Sequence, residues 1–116
     1  MWPMFNFSIS PALAWLLLVL AGVLEIVWAV GLRYSEGFTK AGPSVITVAA
    51  MGGSVVLLGL ALKAIPLGTA YAVWVSIGMV GVAVLGIWLF DEPATLLRIG
   101  SIALITFGVV GLKLVS

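Results

Sequence analysis

Two stretches of the chain, residues 41–62 and 64–90, contain no charged side chain, and polar clusters elsewhere separate further runs rich in Leu, Val, Ile and Ala. About 20 mainly apolar residues suffice to cross the hydrocarbon core of a bilayer. Pro11, Pro43, Pro66 and Pro93 stand at the edges of the runs, where a missing N–H and a fixed φ suit a first helical turn. The pattern predicts four spanning helices, over about residues 12–32, 44–62, 67–90 and 94–114. The connections left between them are too short to serve as lids. The expected fold class is all-α: a subunit of four transmembrane helices that forms one intramembrane domain over residues 12–116, preceded by an extension over residues 1–11.

Composition narrows the function. Of 116 residues 64% are hydrophobic and 8% charged, against about 25% charged in soluble domains, so no soluble enzyme domain fits. A net charge of +1 gives nucleic acid no basic surface to bind. With no Cys and no His, thiolate and imidazole metal sites, Cys nucleophiles and His bases are excluded. Neither a metal nor a cofactor is expected, and any proton chemistry falls to carboxylates. The extension holds Trp2, Phe5 and Phe7 but no Lys or Arg, so it reads as a lead-in at the membrane interface rather than a signal peptide.

Charge also bears on orientation, because Lys and Arg stay on the cytoplasmic side. Arg33, Lys40 and Arg98 fall at one end of an up-and-down bundle, Lys63 and Lys113 at the other. So even a balance predicts insertion both ways up. Many carriers place a midplane site between two inverted halves, and four helices supply one half. An antiparallel, dual-topology homodimer would supply both.

Glu25 is the one charge well inside a span. Comparable charges at a helix centre cost roughly 2.5–3.5 kcal/mol on insertion scales, and an ionisable group there points to a functional site by default. A neutral structural carboxyl, bonded between helices, is the alternative. One helical turn either way lie Ala21, Gly22, Trp28 and Ala29, a face of small residues with a single indole. In the second span Thr47, Met51 and Ser54 share a face, although a lone Ser usually bonds its own helix backbone. The third span aligns Tyr71, Trp74, Gly78 and Gly81; its glycines suit either a conformational hinge or close helix contact. Gly100, Ala103, Gly108 and Gly111 suit the fourth span to dimer packing, and Lys113 is expected to snorkel at the boundary.

Three runs carry a resemblance. Gly22-Val23-Leu24-Glu25-Ile26-Val27-Trp28-Ala29, the loop Tyr34-Ser35-Glu36-Gly37-Phe38-Thr39 ending in Pro43-Ser44, and Ile65-Pro66-Leu67-Gly68-Thr69-Ala70-Tyr71-Ala72-Val73-Trp74 resemble the small multidrug resistance family over nearly all of the chain after the first dozen residues. Trp28, Asp91-Glu92-Pro93 and Gly111-Leu112-Lys113 look like its guanidinium-exporting subtype. The resemblance implies an antiparallel homodimer in the bacterial cytoplasmic (inner) membrane that exchanges external protons for guanidinium and small substituted guanidinium cations. By matching position, Glu25 would bind proton and substrate in turn, while Gly22, Trp28, Ser54, Tyr71 and Trp74 would surround it. Its partners would be those cations, protons, the lipid bilayer and a second copy of itself. Broad export of quaternary ammonium and other drug cations is the nearest alternative, and a non-transporting membrane partner subunit is one from another class.

Overall fold

The computed structural model of the protein describes residues 8–115. Residues 1–7 of the expected extension, with Trp2, Phe5 and Phe7, lie outside them. Four helices follow one another: α1 (Pro11–Tyr34), α2 (Ala41–Ala61), α3 (Leu67–Leu89) and α4 (Leu96–Val115). The shortest has 20 residues, which at 1.5 Å per residue just crosses a hydrocarbon core of about 30 Å. All four are apolar enough to span. The chain is a multi-pass membrane protein.

Local chemistry sets the ends. Ser10 caps α1, its hydroxyl accepting the Leu13 N–H at 3.1 Å, and Pro11 follows at the first helical position. Between α1 and α2 the backbone takes three left-handed residues in succession, Glu36, Gly37 and Phe38. Ser35, fully buried, holds that turn: its hydroxyl donates to the Leu32 carbonyl at 2.7 Å and accepts the Phe38 N–H at 3.1 Å. The α2 helix begins at Ala41, three residues before the expected 44, so Pro43 lies inside its first turn. The N–H groups of a first turn have no intrahelical partner, so Pro43 costs no bond there. At the other end of the chain the correction runs the opposite way. The α4 helix starts at Leu96 rather than near 94, where the Thr95 hydroxyl accepts the Arg98 N–H at 3.2 Å, as a cap does.

The α1 helix is the centre of the subunit, packed on one side by α2 and on another by α3, while α4 packs mainly along α3. On α2 the buried residues Thr47, Ala50, Ser54, Leu58 and Ala61 make one stripe; α1 contributes Ala14, Leu18, Ala21 and Gly22. Small side chains on both helices let the backbones approach. A Cβ on Gly31 would lie 2.5 Å from the Thr47 hydroxyl, which shows how little space remains. No residue of α4 is buried. The described residues form a slab of 46 × 37 × 17 Å.

The ends of α1 and α3 meet on one side, where the Arg33 guanidinium lies 4.8 Å from the centre of the Phe90 ring and Tyr34 packs against the same ring at 5.5 Å. On the opposite side Lys113 stands 4.7 Å from the centre of the Trp15 ring. Arg33, Lys40 and Arg98 thus occupy one end of the bundle and Lys63 and Lys113 the other.

Candidate functional site

Glu25 leaves the middle of α1 toward α3 and lies against the α3 backbone at Gly78. Any side chain at position 78 would collide with the Glu25 carboxyl. One turn along, a Cβ at Gly81 would strike Ile26, and on α1 a Cβ at Gly22 would come within 2.6 Å of Ile77. All three glycines therefore lie on the α1–α3 seam and let it close. Gly22, expected to surround the carboxyl, meets Ile77 instead.

Glu25 is partly buried. Neither of the ion pairs Glu36–Lys40 and Glu92–Arg98 involves it, and among the described residues no donor is hydrogen-bonded to its carboxyl. It opens instead onto a groove of about 470 Å³, walled by Trp28, Ala29, Gly78, Met79, Val82 and Ala83, with Glu92 and Arg98 at its far end. Two other clefts of similar size, about 410 and 440 Å³, have no carboxylate in their walls. The groove beside Glu25 alone combines an acid, an aromatic face and free volume among these three.

Ser54, Trp74 and Tyr71 form a second cluster one turn away. The Trp74 indole N–H donates to the Ser54 hydroxyl at 2.9 Å, and that hydroxyl donates to the Ala21 carbonyl at 2.6 Å. A lone Ser in a membrane helix usually bonds its own backbone; Ser54, expected in the surround of Glu25, reaches across to α1. Ala21 is four residues before Glu25, so in an α-helix its carbonyl also receives the Glu25 backbone N–H. Ser54 is thereby tied to the turn that carries the acid. Tyr71 stands edge-on to Trp74 with ring centres 5.4 Å apart, and is itself exposed. The structure brings Glu25, Trp28 and Gly78 together in one groove and Ser54, Trp74 and Tyr71 together on the neighbouring seam. No hydrogen bond between the two clusters runs through the carboxyl within one subunit.

Glu92 and Arg98 are absent from the sequence-based site. Asp91-Glu92-Pro93 reads there as a connection, yet the Glu92 side chain folds inward against Gly86 and bonds Arg98. An acid followed six residues later by the only basic side chain near that helix start was the available signal.

A membrane-spanning bundle with one carboxylate aimed into an apolar groove at mid-depth defines a class: a small integral membrane protein with a single interior charge. The chain belongs to the small multidrug resistance family, whose model, described as Small Multidrug Resistance protein, matches residues 13–105. It is similar to a protein of Yersinia pseudotuberculosis named guanidinium exporter, 57% identical over 104 residues, which are 90% of this chain and 100% of the relative. Proteins of the same name from Escherichia coli and Citrobacter freundii are 56% and 51% identical, each over 88% of this chain and 97% of the relative. These relatives bear the names of exporters, not of enzymes.

Proposed function

We propose that this chain is one half of a proton-coupled antiporter that exports guanidinium and small substituted guanidinium cations across the bacterial inner membrane. The observation that carries the reading is Glu25, a carboxyl at mid-span with no pairing cation among the described residues, open to a groove beside an indole. Relatives named guanidinium exporter along nearly their whole length support the substrate.

The chemistry follows from the carboxylate. A charged carboxyl away from water is costly, and either a proton or a cation neutralises it. The two therefore compete for one group, and competition is the coupling. Guanidinium is planar and donates paired N–H bonds, which suits both oxygens of a carboxylate. Trp28 offers its ring face to the cation, and its bulk favours small substrates. Gly78 supplies the clearance that lets the acid lie deep, and with Gly81 it gives α3 a place to bend as access alternates. Ser54 and Trp74 fix the turn of α1 that bears Glu25.

Transport needs a second, inverted half. The α4 face at Gly100, Gly108 and Gly111 has nothing of the described residues close opposite it, which supports an antiparallel homodimer joined there, with the exposed Tyr71 completed by the partner. In a dimer the two acids titrate as a pair. Residues 12–116 would be the transport domain and residues 1–11 an interfacial extension. A C-terminal reporter active on only one side of the membrane is expected to find both orientations; one orientation throughout would contradict the dual topology.

Proteoliposomes test the function. Wild-type protein is expected to take up guanidinium against an outward proton movement, and Glu25→Gln to abolish the exchange. Absence of guanidinium flux in the wild type would overturn the substrate, and persistence of coupled exchange in Glu25→Gln would overturn the role of the acid.

A further inference from the structure

The groove that begins at Glu25 ends at a second carboxylate. Glu92 belongs to the connection after α3, where an acid would ordinarily point into water. Here its backbone N–H donates to the Gly86 carbonyl at 3.2 Å, and its side chain lies so close to α3 that any Cβ at Gly86 would collide with it. Gly78 makes room for the inner carboxyl and Gly86 for the outer one, eight residues apart on one helix, or about 12 Å along its axis. Two acids thus line the same groove, one at mid-depth and one at the mouth.

The outer acid already holds a guanidinium. Arg98 donates from one terminal nitrogen to the Glu92 carboxylate at 2.6 Å, and this is the one hydrogen bond of the pair. Its Nε is buried without a partner. Tethered to α4 in this position, the group presents one donor and not two parallel ones, the arrangement in which a guanidinium binds a carboxylate best. A free guanidinium has no such tether. Both side chains are about one-third exposed or more, 33% for Arg98 and 40% for Glu92, so Arg98 can swing out to water without leaving a buried charge behind.

We infer that Glu92 is an outer guanidinium-binding carboxylate at the mouth of the Glu25 groove, occupied by the Arg98 guanidinium until a free cation of the same chemistry displaces it. The inference rests on the guanidinium reading above and adds a waiting position on the route to Glu25. The exchange replaces one charge-assisted bond by another, so Glu92 is never left as a bare carboxylate. A tie that merely fastens the start of α4 to the end of α3 is the competing account, and the two differ in sign.

Guanidinium uptake by proteoliposomes decides between them. If Arg98 competes with substrate, Glu92→Gln raises the half-saturating guanidinium concentration and Arg98→Met lowers it, each by about two- to fivefold, the worth of a partly exposed ion pair. A structural tie is lost equally from either side, so both variants shifting upward, or neither shifting, overturns the inference. A second measurement leaves the ion pair intact. In Glu25→Gln protein carrying isotope-labelled arginine, guanidinium is expected to move the Arg98 side-chain resonance to saturation and leave that of Arg33 in place, whereas tetramethylammonium, which cannot donate hydrogen bonds, moves neither. An Arg98 resonance unmoved by guanidinium overturns the inference. Should the wild type carry no guanidinium flux, the export reading fails, and the Arg98 resonance still decides this one.

Discussion

Ser54 is fully buried and spends its hydroxyl on two other helices, accepting from Trp74 and donating to the Ala21 carbonyl. Hydrogen bonds between membrane helices contribute modestly, about 0.6 kcal/mol on average and up to ~1.7. Ser54→Ala is expected to cost about 1 kcal/mol, read as a lower midpoint of thermal unfolding in detergent. Adding Trp74→Phe in that background should cost less than it does alone, because its partner is already gone; strictly additive losses would contradict the bonded chain. At Gly78 the missing side chain sets how deep the Glu25 carboxyl can lie. Glu25 itself was legible in the sequence, since it is the one charge well inside a span. What made Gly78 a glycine was not, because the sequence leaves open whether a glycine bends its own helix or admits a neighbour's side chain.

The helices were legible for an equally simple reason. Apolar runs of about twenty residues with few charges have few places to go but through a membrane, and four helices of that kind are present. Their ends were less so. Pro43 looked like a boundary and is a first-turn residue, while α4 waits for the Thr95 cap; a proline marks the start of a helix only to within its first turn. Least legible was which helices touch. The sequence of α4 is nearly as apolar as the others, yet it packs mainly on α3 and has no fully buried residue. Its glycine stripe gives the element a specific test. A Cβ at position 108 would have no atom of the described residues outside its own helix within 4 Å, so Gly108→Leu is expected to leave helix content intact. In mild detergent it should weaken the proposed dimer by about tenfold or more, as the ~1–3 kcal/mol of an overpacked contact implies. An unchanged dimer would move the interface to another face.

At the scale of the molecule, the subunit is a slab 17 Å thick, with an acid at mid-depth and an ion pair at the mouth of the same groove. The inward fold of Glu92 could not be read from the sequence, where a connection of Asp, Glu and Pro has every reason to face water; it follows from the backbone bond to Gly86 and the space that glycine leaves. The near balance of charge between the two ends, by contrast, was visible from the start, and it is what a chain inserted in both directions requires. The central claim is that proton and guanidinium occupy Glu25 in turn. It carries a sign: protons hold the site at low pH, so the half-saturating guanidinium concentration falls as pH rises, by up to about tenfold per pH unit where one proton is exchanged. The direct measurement is proton release when guanidinium is added to purified protein in weakly buffered solution. Wild-type protein is expected to release protons in a saturable manner, less at alkaline pH, and Glu25→Gln to release none. Guanidinium binding to the wild type without proton release, or equal release from Glu25→Gln, would contradict it.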